Sequence, residues 1–101
     1  MDTDTLINQA KARFNHNSAK AYLKDKYESK FIVADQGGLW KATPELLGYL
    51  ASQTDKEVIL IDTFENPVMV NRVKLYEALC AAYEDTMAAW YLEWKELESK
   101  R

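Results

Sequence analysis

The chain has 101 residues, 48% of them apolar and 29% charged, with a formal net charge of −3. Those values describe one globular domain, long enough to bury about 65% of its extended-chain surface without staples, and carrying no whole-protein drive toward nucleic acid or an anionic membrane. The single cysteine, Cys80, excludes an internal disulfide framework and any CxxC metal or redox site.

The first residues, MDTDTLINQAKARF, lack a cationic start followed by an apolar run, so no signal peptide is expected. The apolar runs are far too short to span a bilayer. A soluble cytoplasmic protein is the expectation.

In chain order, Thr3, Asp4 or Thr5 can cap a first helix in which Leu6, Ile7, Ala10 and Phe14 share a face. Asn15-His16-Asn17-Ser18 is expected to break or kink it, because these short polar side chains compete with the helical backbone for hydrogen bonds. A second helix over 19–29 would then start at Ser18; one continuous helix over 5–29 is the alternative. Phe31–Ala34 and Leu39–Ala42 are short runs of β-formers around Asp35-Gln36-Gly37-Gly38, whose paired glycines suit the positive φ of a tight hairpin.

Thr43-Pro44-Glu45 is the clearest helix start: a capping hydroxyl, a proline with φ preset, and an acid at the positive end of the dipole. That helix runs to about Gln53. Glu57–Asp62 reads as a strand whose unbroken apolar centre suggests burial on both faces or a place near the sheet middle. Phe64-Glu65-Asn66-Pro67 turns the chain, and Val68–Val70 returns, pairing only after Pro67, which cannot donate.

From Arg72 onward no Gly or Pro stops a helix capped by Asn71. Tyr76, Cys80, Tyr83, Met87, Trp90, Trp94 and Leu97 recur at spacings of four and three, one stripe of that helix. About 28 residues give roughly 42 Å, longer than the ~34 Å diameter of a compact chain of this size, so the helix either frays, bends or is covered by the N-terminal helices, or its overhang is covered by a second chain. The expected fold is α+β, order α(α)ββαββα. It comprises an N-terminal helical segment (1–30), two hairpins forming one antiparallel sheet of about four strands with a helix between them (31–71), and a long C-terminal helix (72–99).

Chemistry is scarce. The only histidine, His16, lies in the expected polar linker, and one His with one Cys cannot supply a usual zinc site. Asp35, Asp62 and Glu65 fall near hairpin ends, where carboxylates bond their own backbone far more often than a metal. No phosphate-cradling glycine motif occurs. No catalytic residue, metal, cofactor or small-molecule substrate is expected.

Two functional readings follow. In the first, the chain is a non-enzymatic interaction or assembly protein whose C-terminal helix overhangs its domain. Tyr83, Met87, Trp90, Trp94 and Leu97 then meet a second copy in a homodimer, or another protein. The alternative is a nucleic-acid-binding regulator. It would use Lys11, Arg13, Lys20, Lys24, Lys26 and Lys30, interleaved with Phe14, Tyr22 and Tyr27. Asp25 and Glu28 dilute that patch.

The stretches ADQGGLWKATPELLGYL (34–50) and VILIDTFENPVMVNR (58–72), with ARFNHNSAKAYL (12–23), resemble small proteins encoded by contractile-tailed phages of marine cyanobacteria and their marine-metagenome counterparts. The resemblance brings no site residues. It implies a virus-encoded protein acting in the host cytoplasm, in virion assembly or in taking over a host process.

Overall fold

The structure, a computed structural model, describes residues 3–100, with Phe14 described in its backbone only. A first helix, α1 (Thr3–Glu28), ends in a single 3-10 turn (Ser29–Phe31). A hairpin of β1 (Ile32–Asp35) and β2 (Gly38–Lys41) leads into α2 (Pro44–Ser52). A second hairpin, β3 (Glu57–Ile61) and β4 (Pro67–Asn71), leads into α3 (Arg72–Ser99). The fold is α+β, and both hairpins are antiparallel.

Each of the last two helices is capped by the residue that ends its hairpin segment. Thr43 Oγ1 accepts from the Leu46 amide at 3.2 Å, and Asn71 Oδ1 accepts from the Lys74 amide at 3.0 Å. Pro44 follows Thr43 in the first turn, as its preset φ favours.

Four expectations change. First, α1 is continuous through Asn15–Ser18. His16 in that stretch and Ala19 just after it are half-buried, with His16 Nε2 4.0 Å from a Glu98 carboxylate oxygen. Packing on α3 outweighs the weak helix propensity of Asn and Ser, a few tenths of a kcal/mol each by about the usual scale. The expected face of Leu6, Ile7 and Ala10 points to solvent, and the Phe14 side chain lies outside the described residues.

Second, the four strands form two separate two-stranded sheets instead of one sheet of four. The hairpins are held together through their turns. Leu39 donates its N–H to Asp62 Oδ2 at 3.2 Å and accepts from the Thr63 amide at 2.9 Å. The Gln36 side-chain amide closes on the backbone of Asn71 from both sides: Oε1 accepts from the Asn71 N–H at 2.6 Å, and Nε2 donates to its carbonyl at 3.3 Å.

Third, the positive-φ pair of the first turn is Gln36 and Gly37, at 52° and 82°, the signature of a two-residue hairpin turn of primed type. Gly38 is already in β2, facing Asp35. Its role is clearance: a Cβ there would lie 2.5 Å from Cζ2 of Trp40, whose indole folds back over it and donates to the Asp35 carbonyl at 2.9 Å.

Fourth, Pro67 lies within β4, opposite Ile61. Bonds from Asp62 to Asn66 and from Arg72 to Lys56 bracket the ladder, so its hydrogen-bonded pairs are those of even number. Ile61–Pro67 is a non-bonded pair, where no donor is missed.

The core is Phe31, Trp40, Ala42, Leu50, Val58, Val70, Leu75 and Leu79, gathered where the hairpins and α2 meet the first half of α3. Arg72 adds a polar tie, donating to the carbonyls of Asp55 and Leu50 at 2.8 and 2.9 Å. The second half of α3 runs antiparallel to α1. The molecule is therefore a rod of 66 × 24 × 19 Å with a radius of gyration of 19.4 Å, well above the ~13 Å of a compact chain of 100 residues.

Candidate interaction surfaces

The overhang of α3 is covered by the chain's own first helix. Tyr27, buried, stacks on Trp90 with ring centroids 6.1 Å apart and planes 8° from parallel. Phe31 meets Trp90 edge-on at 6.3 Å and Tyr83 at 5.7 Å. Lys26 Nζ lies 2.6 Å from Glu93 Oε1. That hydrogen bond raises the Lys26 pKa and lowers that of Glu93, so the pair stays ionised across neutral pH. Burial raises the Tyr27 hydroxyl pKa. Thr86, buried in the seam, donates to the Lys30 carbonyl at 3.2 Å.

Of the five residues expected at an oligomer interface, Tyr83 and Trp90 are thus engaged within the chain. Leu97 is half-buried beside an open cleft of about 550 Å³ that Ala12, His16 and Lys100 share. Met87 is exposed, and Trp94 is half-buried with its ring 6.2 Å from that of Tyr91. The deepest line of α3 is Leu75, Leu79 and Thr86. At ~100° per residue it lies roughly 60° around the helix from the centre of the expected stripe. Leu75 and Leu79 also recur at a spacing of four, a signal the more conspicuous aromatic residues mask.

The basic residues do not converge. On a continuous α1, with ~100° per residue, Arg13, Lys20 and Lys24 fall on one flank and Lys11 and Lys26 on the other. Lys26 is paired with Glu93, and Lys30 lies over the Tyr27 ring, 4.9 Å from its centroid. Tyr27 is buried and cannot offer its face to a base; Tyr22 is exposed.

Among the acids, Asp62 is a buried turn anchor. Its Oδ1 accepts from the amides of Phe64 and Asn66, both at 3.0 Å, and its Oδ2 from Leu39. The Asn66 amide is the first cause of its lowered pKa, with Leu39 and Phe64 adding to it against the effect of burial. Glu65 occupies a positive-φ turn position at 64°. Among the described residues no group of three or more His, Cys, Asp or Glu side chains is placed to hold a metal ion, and no helix is long and apolar enough to cross a membrane.

A further exposed apolar surface lies on the outer face of the second hairpin. Ile59 and Ile61 are 63% exposed and Met69 is 59% exposed, with Ile59 directly opposite Met69. Strand alternation puts all three on one side, while Val58 and Val70 face the core. Sequence reading missed this face because EVILID reads as a strand buried on both sides, yet only one side is covered.

Compared with protein-family models, curated proteins and solved structures, the chain matches none.

Proposed function

We propose that this chain is a non-enzymatic interaction or assembly protein that associates with itself. The observation that carries this reading is the outer face of the β3–β4 hairpin, where Ile59, Ile61 and Met69 stand together in solvent. Large aliphatic side chains clustered on a rigid element lose free energy to water, about 25 cal/mol for each Å² left uncovered, and such patches mark contact surfaces. The exposed flank of α3, with Met87 and Tyr91 beside the half-buried Trp94, is a second and less exposed strip. The resemblance to proteins of contractile-tailed phages of marine cyanobacteria would place such contacts in virion assembly or in taking over a host process in the host cytoplasm.

The test is the solution mass by light scattering behind a size-exclusion column, over a range of concentrations. A mass rising toward twice 11.7 kDa, and falling back in Met69→Lys, supports the reading. A single-chain mass at every concentration up to about 0.5 mM, where even weak specific interfaces are populated, overturns self-association.

A further inference from the structure

The first helix outruns its support. From position 16 onward, His16, Ala19, Leu23 and Tyr27 of α1 are wholly or partly buried along the side that meets α3. Residues 3–13 are all exposed, because α3 ends beside Ala12 and His16. These eleven residues fall short of the about 12–15 at which a lone helix is even marginal in water. At ~100° per residue, Leu6, Ile7 and Ala10 share one face of this tail, roughly 140° around from the buried line. Leu6 is 54% exposed and Ile7 47%. The tail thus carries an apolar stripe that α3 neither covers nor obstructs.

Charge indicates what fits there. Asp4 and Lys11 flank the stripe on the same side, seven residues apart. A helix rise of ~10.5 Å separates them, too far for a pair within one helix. Among the described residues neither makes an ion pair. When two copies of one helix lie antiparallel, their same-side flanks face each other; when they lie parallel, opposite flanks do. Antiparallel pairing therefore sets Asp4 of each copy against Lys11 of the other, two opposite-charge contacts from one two-fold axis. Parallel pairing sets Lys11 against Leu6 and leaves Asp4 unanswered. The antiparallel arrangement also turns the hairpin ends of the two rods away from each other.

We propose that residues 3–13 of α1 pair antiparallel with the same residues of a second copy, about a two-fold axis level with Asn8 and Gln9. Ile7 of each copy packs on Ala10 of the other, and Leu6 lies along the aliphatic stem of the other's Arg13. The contact sits at the opposite end of the rod from the β3–β4 face. It goes beyond the self-association read there, and neither contact depends on the other. Two such short helices bury less than the about 1,200–2,000 Å² of a stable complex, so the dissociation constant is on the order of 1 mM. The contact therefore fills above the concentrations at which Met69→Lys reports on the hairpin. It serves chains already gathered by another contact, where the effective concentration is itself millimolar.

The test is made in the whole chain carrying Met69→Lys, so that the hairpin face does not contribute. NMR reads the Ile7 methyl shift and translational diffusion between about 0.05 and 2 mM, a range that brackets the expected constant. A shift that changes with concentration, while diffusion slows toward that of two chains, supports the pairing. A shift and a diffusion constant independent of concentration overturn it, and leave the hairpin reading to its own test. Asp4→Lys and Lys11→Glu are then added to that chain separately. Each sets like charges together at both contacts, so each alone should associate at least about fivefold more weakly. An equal mixture of the two variants restores opposite charges at both contacts and should recover the parent's association. Recovery supports the proposal. Single variants that associate as the parent does, or a mixture no stronger than either variant alone, overturn it. Asp4 also lies in the first turn of α1, at the positive end of the helix dipole. Mixing does not repair fraying there, so recovery cannot come from helix stability alone.

Discussion

Tyr27 stacks on Trp90, ring centroids 6.1 Å apart and planes 8° from parallel, so the middle of the C-terminal aromatic stripe is engaged by the chain's own first helix. This contact ties the end of α1 to the middle of α3 and engages Trp90 within the chain, with Tyr83 beside it on Phe31. Trp90→Ala should therefore destabilise the fold by about 2–3 kcal/mol, the cost of a partly buried aromatic and its ring partners. Denaturant unfolding measures this. The same variant should keep the wild-type solution mass; loss of association without loss of stability would mean that Trp90 faces another chain instead.

Gly38→Ala should destabilise the first hairpin. The new methyl would sit 2.5 Å from the Trp40 ring, and Trp40 is buried and hydrogen-bonded to the Asp35 carbonyl, so it has little room to yield. A cost of about 1–3 kcal/mol follows from overpacking. Gly37→Ala should also destabilise, but through its φ of 82° instead of a clash, since nothing lies within 4 Å of its added Cβ. The indole N–H resonance of Trp40, assigned by NMR, separates the two, since only the change at Gly38 displaces the indole.

Acid should weaken the fold through Asp62 and Glu93. Both have folded pKa values below their ordinary 3.8 and 4.5, Asp62 through the amide of Asn66 first and Glu93 through Lys26. A depressed pKa contributes stability that is present above the ordinary value and lost as pH falls through the folded one. Stability from these groups should be flat from pH 7 down to about 5 and should fall below about 4. Asp62→Asn should flatten part of that acid limb in urea titrations at several pH values. An unchanged limb would mean that Asp62 is not held ionised by the turn.

Gln36→Ala should cost about 1 kcal/mol, the net worth of a bridging amide at an exposed site. The backbone strain at its positive φ of 52° is common to both residues and cancels. The variant also uncovers the outward N–H and C=O of Asn71, so β4 gains a recruiting position. Light scattering should then show species larger than the wild type's, growing with concentration. Stability loss alone, without added mass, would assign Gln36 only an intramolecular role.

Much of the local structure was legible because its causes are local. Thr43 with Pro44 sets the start of α2, Asn71 sets that of α3, and the absence of Gly and Pro after Arg72 lets α3 run its full length. Tight-turn chemistry at 35–38 announces the first hairpin. Where sequence reading went astray, a longer-range force competed. Asn15–Ser18 is weak helix by propensity, yet packing of His16 and Ala19 against the end of α3 carries α1 through it. Pro67 reads as a strand break, but the ladder's phase puts it where no donor is needed.

By itself, then, the sequence determined where α2 and α3 begin, that two hairpins lie on either side of α2, and that the chain carries neither a disulfide framework nor a CxxC site. These follow from φ/ψ preferences, capping and residue counts, all readable within a few positions. Tertiary structure alone decided which face of each element is covered. Tyr83 and Trp90 turn inward because α1 folds back antiparallel on α3, and Ile59 and Ile61 turn outward because only one side of the second hairpin meets the core. A hydrophobic stripe records that a surface is to be buried, because burial depends on apolar area and not on direction. What buries it is settled by which elements the fold brings alongside.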